Sequence, residues 1–185
     1  MTLLFVCGVL NHCDWRFGHL VGVRDKPLGL NREDIKFELK EINQFLLDRN
    51  LREDALSFSF DMDIDMTPLM NWNTHTVFAY LICEFETKTS KTNSISVWDQ
   101  RISRSAPEHH HIALTDEFLE YYLTDMNKEM KGADIKIYFR WEHMSTIGTY
   151  YDGTIEVGTF TAPAKYSGDS KRKFTPGPYN RKLNY

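Results

Sequence analysis

LSFSFDMDI occupies residues 56–64. Leu56, Phe58, Phe60, Met62 and Ile64 alternate with Ser57, Ser59, Asp61 and Asp63. Side chains on a strand point to opposite faces in turn. Strict period two over this length therefore predicts a strand with one buried and one wet face. Pro68 ends it, because proline cannot donate to a ladder, and a loop, NWNTH (71–75), follows. The next run, TVFAYLICEF (76–85), is continuously apolar, with β-branched and aromatic residues. It reads as a strand buried on both faces, hence central in its sheet.

Further along, ETKTSKTN (86–93) is a polar turn and SISVWD (94–99) a strand with Ile95 and Val97 on one face. Residues 101–111 are polar around Pro107, and 125–133 are charged and end in Lys131-Gly132, a turn signal. Ile135, Ile137, Phe139 and Trp141 alternate with Lys136, Tyr138 and Arg140, giving a second strong strand, and TIEVGTF (154–160) closes the series. Two segments stay open on local pattern. Ile35, Phe37 and Leu39 alternate as in a strand, yet Ile35, Leu39, Ile42 and Leu46 fit a helix face capped by Asn31. LEYYL (119–123) also fits either. Six or seven strands joined by turns, with no long helical pattern between them, predict an all-β antiparallel sandwich of two layers sharing the inward aromatics.

A chain of 185 residues buries a core without needing disulfides or metal. The net charge of −4 argues against a general nucleic-acid binder. Three cysteines make no disulfide scaffold. The composition excludes disorder, collagen and coiled coil. Charge is uneven: residues 165–185 hold six cations against Asp169 alone, a net +5, so the remainder carries −9. Pro176, Gly177 and Pro178 lie within that stretch, which reads as a flexible basic tail. A solvated tail is the simpler reading against one that touches anionic lipid or RNA.

MTLLFVCGVL (1–10) is apolar and uncharged. As a helix it spans roughly 15 Å, half of a hydrocarbon core. Three readings stand: a membrane segment cut short at its beginning, a buried structural segment, or a signal peptide. The last fits least, since no basic residue precedes the run and no A-x-A-like site follows. Residues 14–34 read as a connector with Gly18, Gly22, Pro27 and Gly29.

Motifs of catalysis are sparse. His109, His110 and His111 alternate faces on an extended chain, so they do not converge on one ion. Asp61, Asp63 and Asp65 begin like a calcium loop, but the Gly and the later Glu are missing, and a wet strand face explains them. Cys83 sits in the central strand as a small hydrophobe. No nucleophile elbow, Walker loop, G-x-G-x-x-G or H-E-x-x-H occurs. The residues alone describe a β domain that works by contact, with no catalytic, metal or cofactor set.

Three segments in order carry a resemblance: DMDIDMTPLMNWNTHTVFAYLICEFET (61–87), SISVWDQRI (94–102) and YYLTDMNKEMKGADIKIYFRWEHMSTIGT (121–149). An acidic alternating strand leads to a Pro-containing turn ending in W-N (Asp65, Pro68, Asn71, Trp72, Asn73). An apolar strand ends in a Thr corner (Phe78 to Thr87). A W-D strand (Trp98, Asp99) and a late strand ending in Trp141 follow. In this order and spacing the chain resembles the third subunit of the eukaryotic signal peptidase complex. The resemblance covers about residues 55–150. It implies strands at Ile35 to Ile42 and at Leu119 to Leu123. It also implies a single-pass type II protein of the endoplasmic reticulum membrane, with its main domain luminal. Its role would be that of a non-catalytic subunit packed against the protease subunit that cuts signal peptides, among the other subunits of the complex, with no cofactor and no nucleic acid. The organisation expected is 1–13 as the remnant of an N-terminal anchor, 14–34 as connector, 35–164 as luminal β-sandwich and 165–185 as tail.

The chain departs from the pattern at its start, where only about half an anchor precedes the first charges; a missing upstream coding segment is the expectation. No N-x-S/T site occurs anywhere. Trp98 and Trp141 are expected to fill or border the core. Trp72 and Asn73 are expected to fix a turn, since a large ring buries roughly 150–250 Å² and an Asn side chain bonds its own backbone. Two competing readings remain: a secreted or extracytoplasmic β-sandwich binding module without enzymatic activity, and a small hydrolase or metal enzyme built on the histidine loop.

Overall fold

Period-two patterning becomes a two-layered sandwich in a computed structural model that describes residues 29–48, 52–148 and 150–167. Among these residues run β1 (Ile35–Asp48), β2 (Glu53–Asp65), β3 (Thr74–Phe85), β4 (Asn93–Ser103), β5 (His111–Phe118), β6 (Leu123–Asp125), β7 (Asp134–Ser145) and β8 (Tyr151–Thr161). One sheet has the order β1-β2-β5, with short β6 also paired to β2; the other has the order β4-β3-β7-β8. Every pairing is antiparallel. No helix among the described residues is long and apolar enough to cross a membrane. The three readings of residues 1–10 lie outside the described residues, as does the tail beyond Ser167.

The core forms where the inward faces meet. Phe58, Phe60, Met62 and Ile64 of β2 join Val77, Leu81 and Cys83 of β3 and Ile137 and Phe139 of β7, all at most 1% exposed. Phe58 packs edge-on against Phe160 of the other sheet, ring centroids 5.3 Å apart. Each such side chain contributes about 1.5–3 kcal/mol through burial. β3 is central, flanked by β4 and β7.

β1 is a strand, and its register explains the helical look of its sequence. Ile35, Phe37 and Leu39 lie opposite Ile64, Met62 and Phe60. Register shifts between Leu39 and Glu41 and between Ile42 and Gln44 then place Ile42 opposite Phe58 and Phe45 opposite Leu56. Each bulge inserts one residue, so the core-facing positions change from every second to every third residue and imitate a helix.

The expected strand at 119–123 is not formed. β5 ends at Phe118 and β6 begins only at Leu123. Between them the chain leaves its sheet, and the Glu120 and Tyr121 amides both donate to the Val97 carbonyl of β4 (2.9 and 3.1 Å). Leu119 and Leu123 are both buried because this crossing segment dips into the core at each end. β5 occupies a stretch that the sequence left without a strand, since only Ile112 and Leu114 mark its apolar face.

The domain also extends past residue 164. Tyr166 packs at a tilt against Phe45 (ring centroids 5.1 Å apart), and its hydroxyl donates to Oδ1 of the fully buried Asp54 (2.6 Å). The Ser167 amide donates to the Phe45 carbonyl (2.8 Å). Lys131 Nζ sits 3.7 Å from the centroid of the Tyr166 ring. Burial, then the bond to Asp54, pushes the Tyr166 phenol up. Oδ2 of Asp54 has no protein partner, so the phenol is the main relief for a carboxyl group shut away from water. Tyr166→Phe is therefore expected to destabilise the fold by about 1–3 kcal/mol. Urea denaturation of the full chain measures it, and an unchanged midpoint would show that the latch is dispensable. At the other terminus Leu30 is buried, and the Asp34 carboxylate accepts from the Asn31 amide (2.9 Å), so the end of the expected connector is also part of the domain.

Candidate functional site

β2 and β3 belong to different sheets, so residues 66–73 must turn the chain across one end of the sandwich. Asp65 opens the turn: its carboxylate accepts from the Thr67 hydroxyl and, through Oδ1, from the Thr67 amide (2.9 Å), and these bonds hold its carboxyl below the usual range. Pro68 lies in a single 3₁₀ turn, Thr67–Leu69, where its missing N–H costs nothing. The Met66 amide donates to the His110 carbonyl (2.8 Å), and Met66 and Leu69 are buried.

The second half of the turn is held by side chains. Asn71 Oδ1 accepts from the Asn73 amide (2.8 Å), an Asx turn. The Asn71 amide donates to Thr74 Oγ1 (2.9 Å), and the Thr74 hydroxyl donates to the Leu69 carbonyl (2.9 Å). Asn73, 1% exposed, reaches across to the β7–β8 connection. Its Nδ2–H donates to the Ile147 carbonyl (2.6 Å), and the Ile147 amide donates to its Oδ1 (2.9 Å). A third bond runs from the Thr146 amide to the Asn73 carbonyl (2.8 Å). Two loops from non-adjacent parts of the chain are thus clamped as one unit.

Beneath the clamp lies His143, fully buried, its Nε2 2.7 Å from Thr74 Oγ1 and its ring stacked on Tyr151 (4.6 Å). With the Thr74 hydroxyl donating to Leu69, the compatible tautomer places the hydrogen on Nε2 and leaves Nδ1 to accept from the Ser145 hydroxyl (3.3 Å). A threonine hydroxyl this close to an imidazole has the spacing of a nucleophile and its base. Both groups are 0% exposed, however, so no substrate reaches them. Burial holds the His143 pKa below its ordinary value of 6.5. The unfolded chain takes up a proton near pH 6.5 that the folded chain refuses, so this contribution to stability is complete above that pH and is lost as pH falls below it. We expect the urea midpoint to drop between pH 7 and pH 5, and the drop to shrink in His143→Gln. An equal slope in both proteins would place the dependence elsewhere.

The eight residues singled out by the sequence fall into three places. Asp65, Pro68, Asn71, Trp72 and Asn73 share this turn. Trp98 and Trp141 are 5% and 7% exposed on the inner face, paired with Leu81 and Ala79 on either side of β3. Asp99 lies on the outer face opposite Tyr80. Trp72 departs from the expectation of a ring that buries itself: it is 52% exposed, and the Asn and Thr side chains fix the turn instead. Thr74, His143 and Ile147 went unseen. The one signal for His143 is a polar residue at the inward position that continues Ile135, Ile137, Phe139 and Trp141.

The remaining candidates separate. His109 is exposed, His110 Nε2 lies 3.0 Å from the Ser103 carbonyl and His111 Nε2 lies 2.7 Å from Asp63. Asp61 pairs with Lys40 (2.9 Å) and Asp63 with Lys36 (3.0 Å), so the acidic strand face is engaged in cross-strand ion pairs. Among the described residues no three His, Cys, Asp or Glu side chains are grouped to hold a metal ion. Cys83 is fully buried and its thiol pushed up by that burial.

Residues 1–165 match the family model described as a signal peptidase subunit. A Yarrowia lipolytica protein named signal peptidase complex subunit 3 is 30% identical over 105 residues, 56% of this chain and 56% of that protein. The Dictyostelium discoideum protein of that name is 24% identical over 147 residues, 80% of this chain and 84% of its own length. The Homo sapiens one is 24% identical over 126 residues, 68% of each.

Proposed function

The chain belongs to the signal peptidase subunit family, and from that premise we propose that it is a non-catalytic subunit of the endoplasmic reticulum signal peptidase complex. The match over residues 1–165 carries this reading, because it includes all eight strands of the sandwich. In this role the sandwich sits in the lumen, held to the membrane through residues 1–13, and packs against the protease subunit that cleaves signal peptides from secretory and membrane proteins. Residues 14–34 link the segment to the sandwich, and the basic stretch to residue 185 follows it.

The chemistry of the described residues supports a supporting role. The hydroxyl and imidazole that lie within reach of each other are sealed in the core, and the Cys83 thiol is held protonated. The large exposed groups are suited to contact rather than to bond cleavage. Asp65, Pro68, Asn71, Asn73, Trp98 and Trp141 act on this account through the stability of the module, and Trp72 through its surface.

Isolation of the tagged full-length chain from detergent-solubilised reticulum membranes tests the assignment. The catalytic subunit and its companions are expected to co-purify. Recovery of the chain as a monomer in the soluble fraction, free of them, would remove it.

A further inference from the structure

Five large apolar side chains stand exposed among the described residues: Trp72, Tyr121, Met126, Met144 and Tyr150. Three of them share one end of the sandwich. Trp72 is in the turn before β3, Met144 is one residue from the end of β7 and Tyr150 directly precedes β8. Their exposures are 52%, 43% and 54%. The Asn73–Ile147 clamp ties the two loops that carry Trp72 and Tyr150. Tyr150 shares the Glu142 carboxylate with Tyr80, and burial and that bond push its phenol up to about 12. These aromatics are held out on a rigid support, so their exposure is built rather than incidental.

The same end receives the chain from its N-terminus. β1 runs antiparallel to β2 with Ile35 opposite Ile64, so β1 begins where β2 ends and the Trp72 turn follows. Residues 11–28 separate the apolar run from the first described residue. Fully extended they span at most about 65 Å, so this end is the first part of the sandwich that the chain reaches from residues 1–10. Arg104 is exposed nearby, its amide donating to the His75 carbonyl at the start of β3 (3.4 Å).

We propose that this end of the sandwich rests in the headgroup layer of a phospholipid bilayer, with Trp72, Tyr150 and Met144 inserted among the lipids. The proposal rests on the anchored reading of residues 1–13 given above. Trp and Tyr rings pair an apolar body with a polar edge and concentrate where hydrocarbon meets water. A lipid surface suits the geometry better than a bound peptide. None of the three side chains lines the groove of Glu84, Lys91 and Tyr138 or the groove of Phe37, Asp61 and Leu114; they sit on turn tips at a sheet end. The contact would fix the tilt of the domain on its tether and so the height of its other faces above the membrane.

Tryptophan fluorescence of the full-length chain in phosphatidylcholine vesicles, with and without brominated acyl chains, tests this directly. Trp98 and Trp141 are buried in the sandwich, so Trp72→Phe isolates the tip from them and from Trp15. We expect bromolipid quenching of the wild type to fall by at least half in the variant, with the urea midpoints of the two proteins unchanged. Equal quenching in a chain that resists alkaline wash would overturn the lipid contact while leaving the anchor in place. A chain washed off the vesicles would overturn the anchor, and this contact with it. Loss of Trp72 quenching on assembly with the other subunits would show that a protein, not lipid, covers the tip.

Discussion

Trp141→Ala is expected to destabilise the protein by about 3–5 kcal/mol, the cost of removing a large buried ring from a core that collapses only in part. Trp141 is 7% exposed, packs against Phe139 with ring centroids 6.1 Å apart and lies opposite Gly153 of β8. The glycine belongs to the same contact. A Cβ at residue 153 would overlap the six-membered ring of Trp141, so the ring occupies the space that any other residue would need. Gly153→Ala should therefore also destabilise, by about 1–3 kcal/mol, through overpacking rather than a cavity. In the double variant the alanine at 153 no longer meets a ring, so its cost should largely vanish on the Trp141→Ala background. Urea denaturation of the four proteins gives this cycle. Strict additivity would show that the two residues do not share one site.

Asn73→Ala is expected to cost about 2–4 kcal/mol and to do so locally. Both the amide and the carbonyl of Ile147 lose their side-chain partner, and each part-buried group left without a bond costs about 1–3 kcal/mol. Asn73→Asp separates the two bonds, since a carboxylate still accepts from the Ile147 amide but cannot donate to its carbonyl. Hydrogen exchange should report faster opening of residues 146–148 and of the 66–73 turn in Asn73→Ala, with β2 and β3 protected nearly as before. Uniform loss of protection across both sheets would mean that the clamp belongs to the global core instead of holding two loops together.

The strands that could be read from sequence are those with an unbroken rhythm. β2 and β7 keep an alternating apolar face and β3 a continuous apolar run, so pattern placed all three; the wet face expected of β2 holds only from Asp61 to Asp65, because Ser57 and Ser59 are buried (7% and 1% exposed). β1 is legible only in retrospect: two bulges stretch its repeat to that of a helix, and the strand assignment came from the family pattern. That same pattern misplaced a strand at 119–123, where the hydrogen bonds run to Val97 across the sandwich. A backbone pairing of that kind leaves no mark on side-chain spacing. β5 was missed because Asp116 adopts positive φ in an irregular stretch and only Ile112 and Leu114 signal burial.

For the candidate site, the sequence marks the turn but not the contacts that hold it. Asn71, Trp72 and Asn73 stand out in the sequence, with the Trp72 ring and the Asn73 side chain, bonded to its own backbone, both expected to fix the turn. The anchor is the reach of Asn73 to Ile147, a contact across 74 positions of chain that no local motif encodes. His143 shows the same limit. Its place at an inward register position was visible, whereas its partner Thr74 lies on another strand.

The central claim is that this chain supports signal peptide cleavage performed by another subunit. It is tested most directly by assaying cleavage of a fluorescent signal-peptide substrate with two preparations from one source. One is the intact complex isolated through the tagged chain, and the other is the same chain stripped of its partners and shown to remain folded. Cleavage by the complex and none by the pure chain is the expected result. Turnover by the pure, folded chain at a rate comparable to the complex would contradict the account.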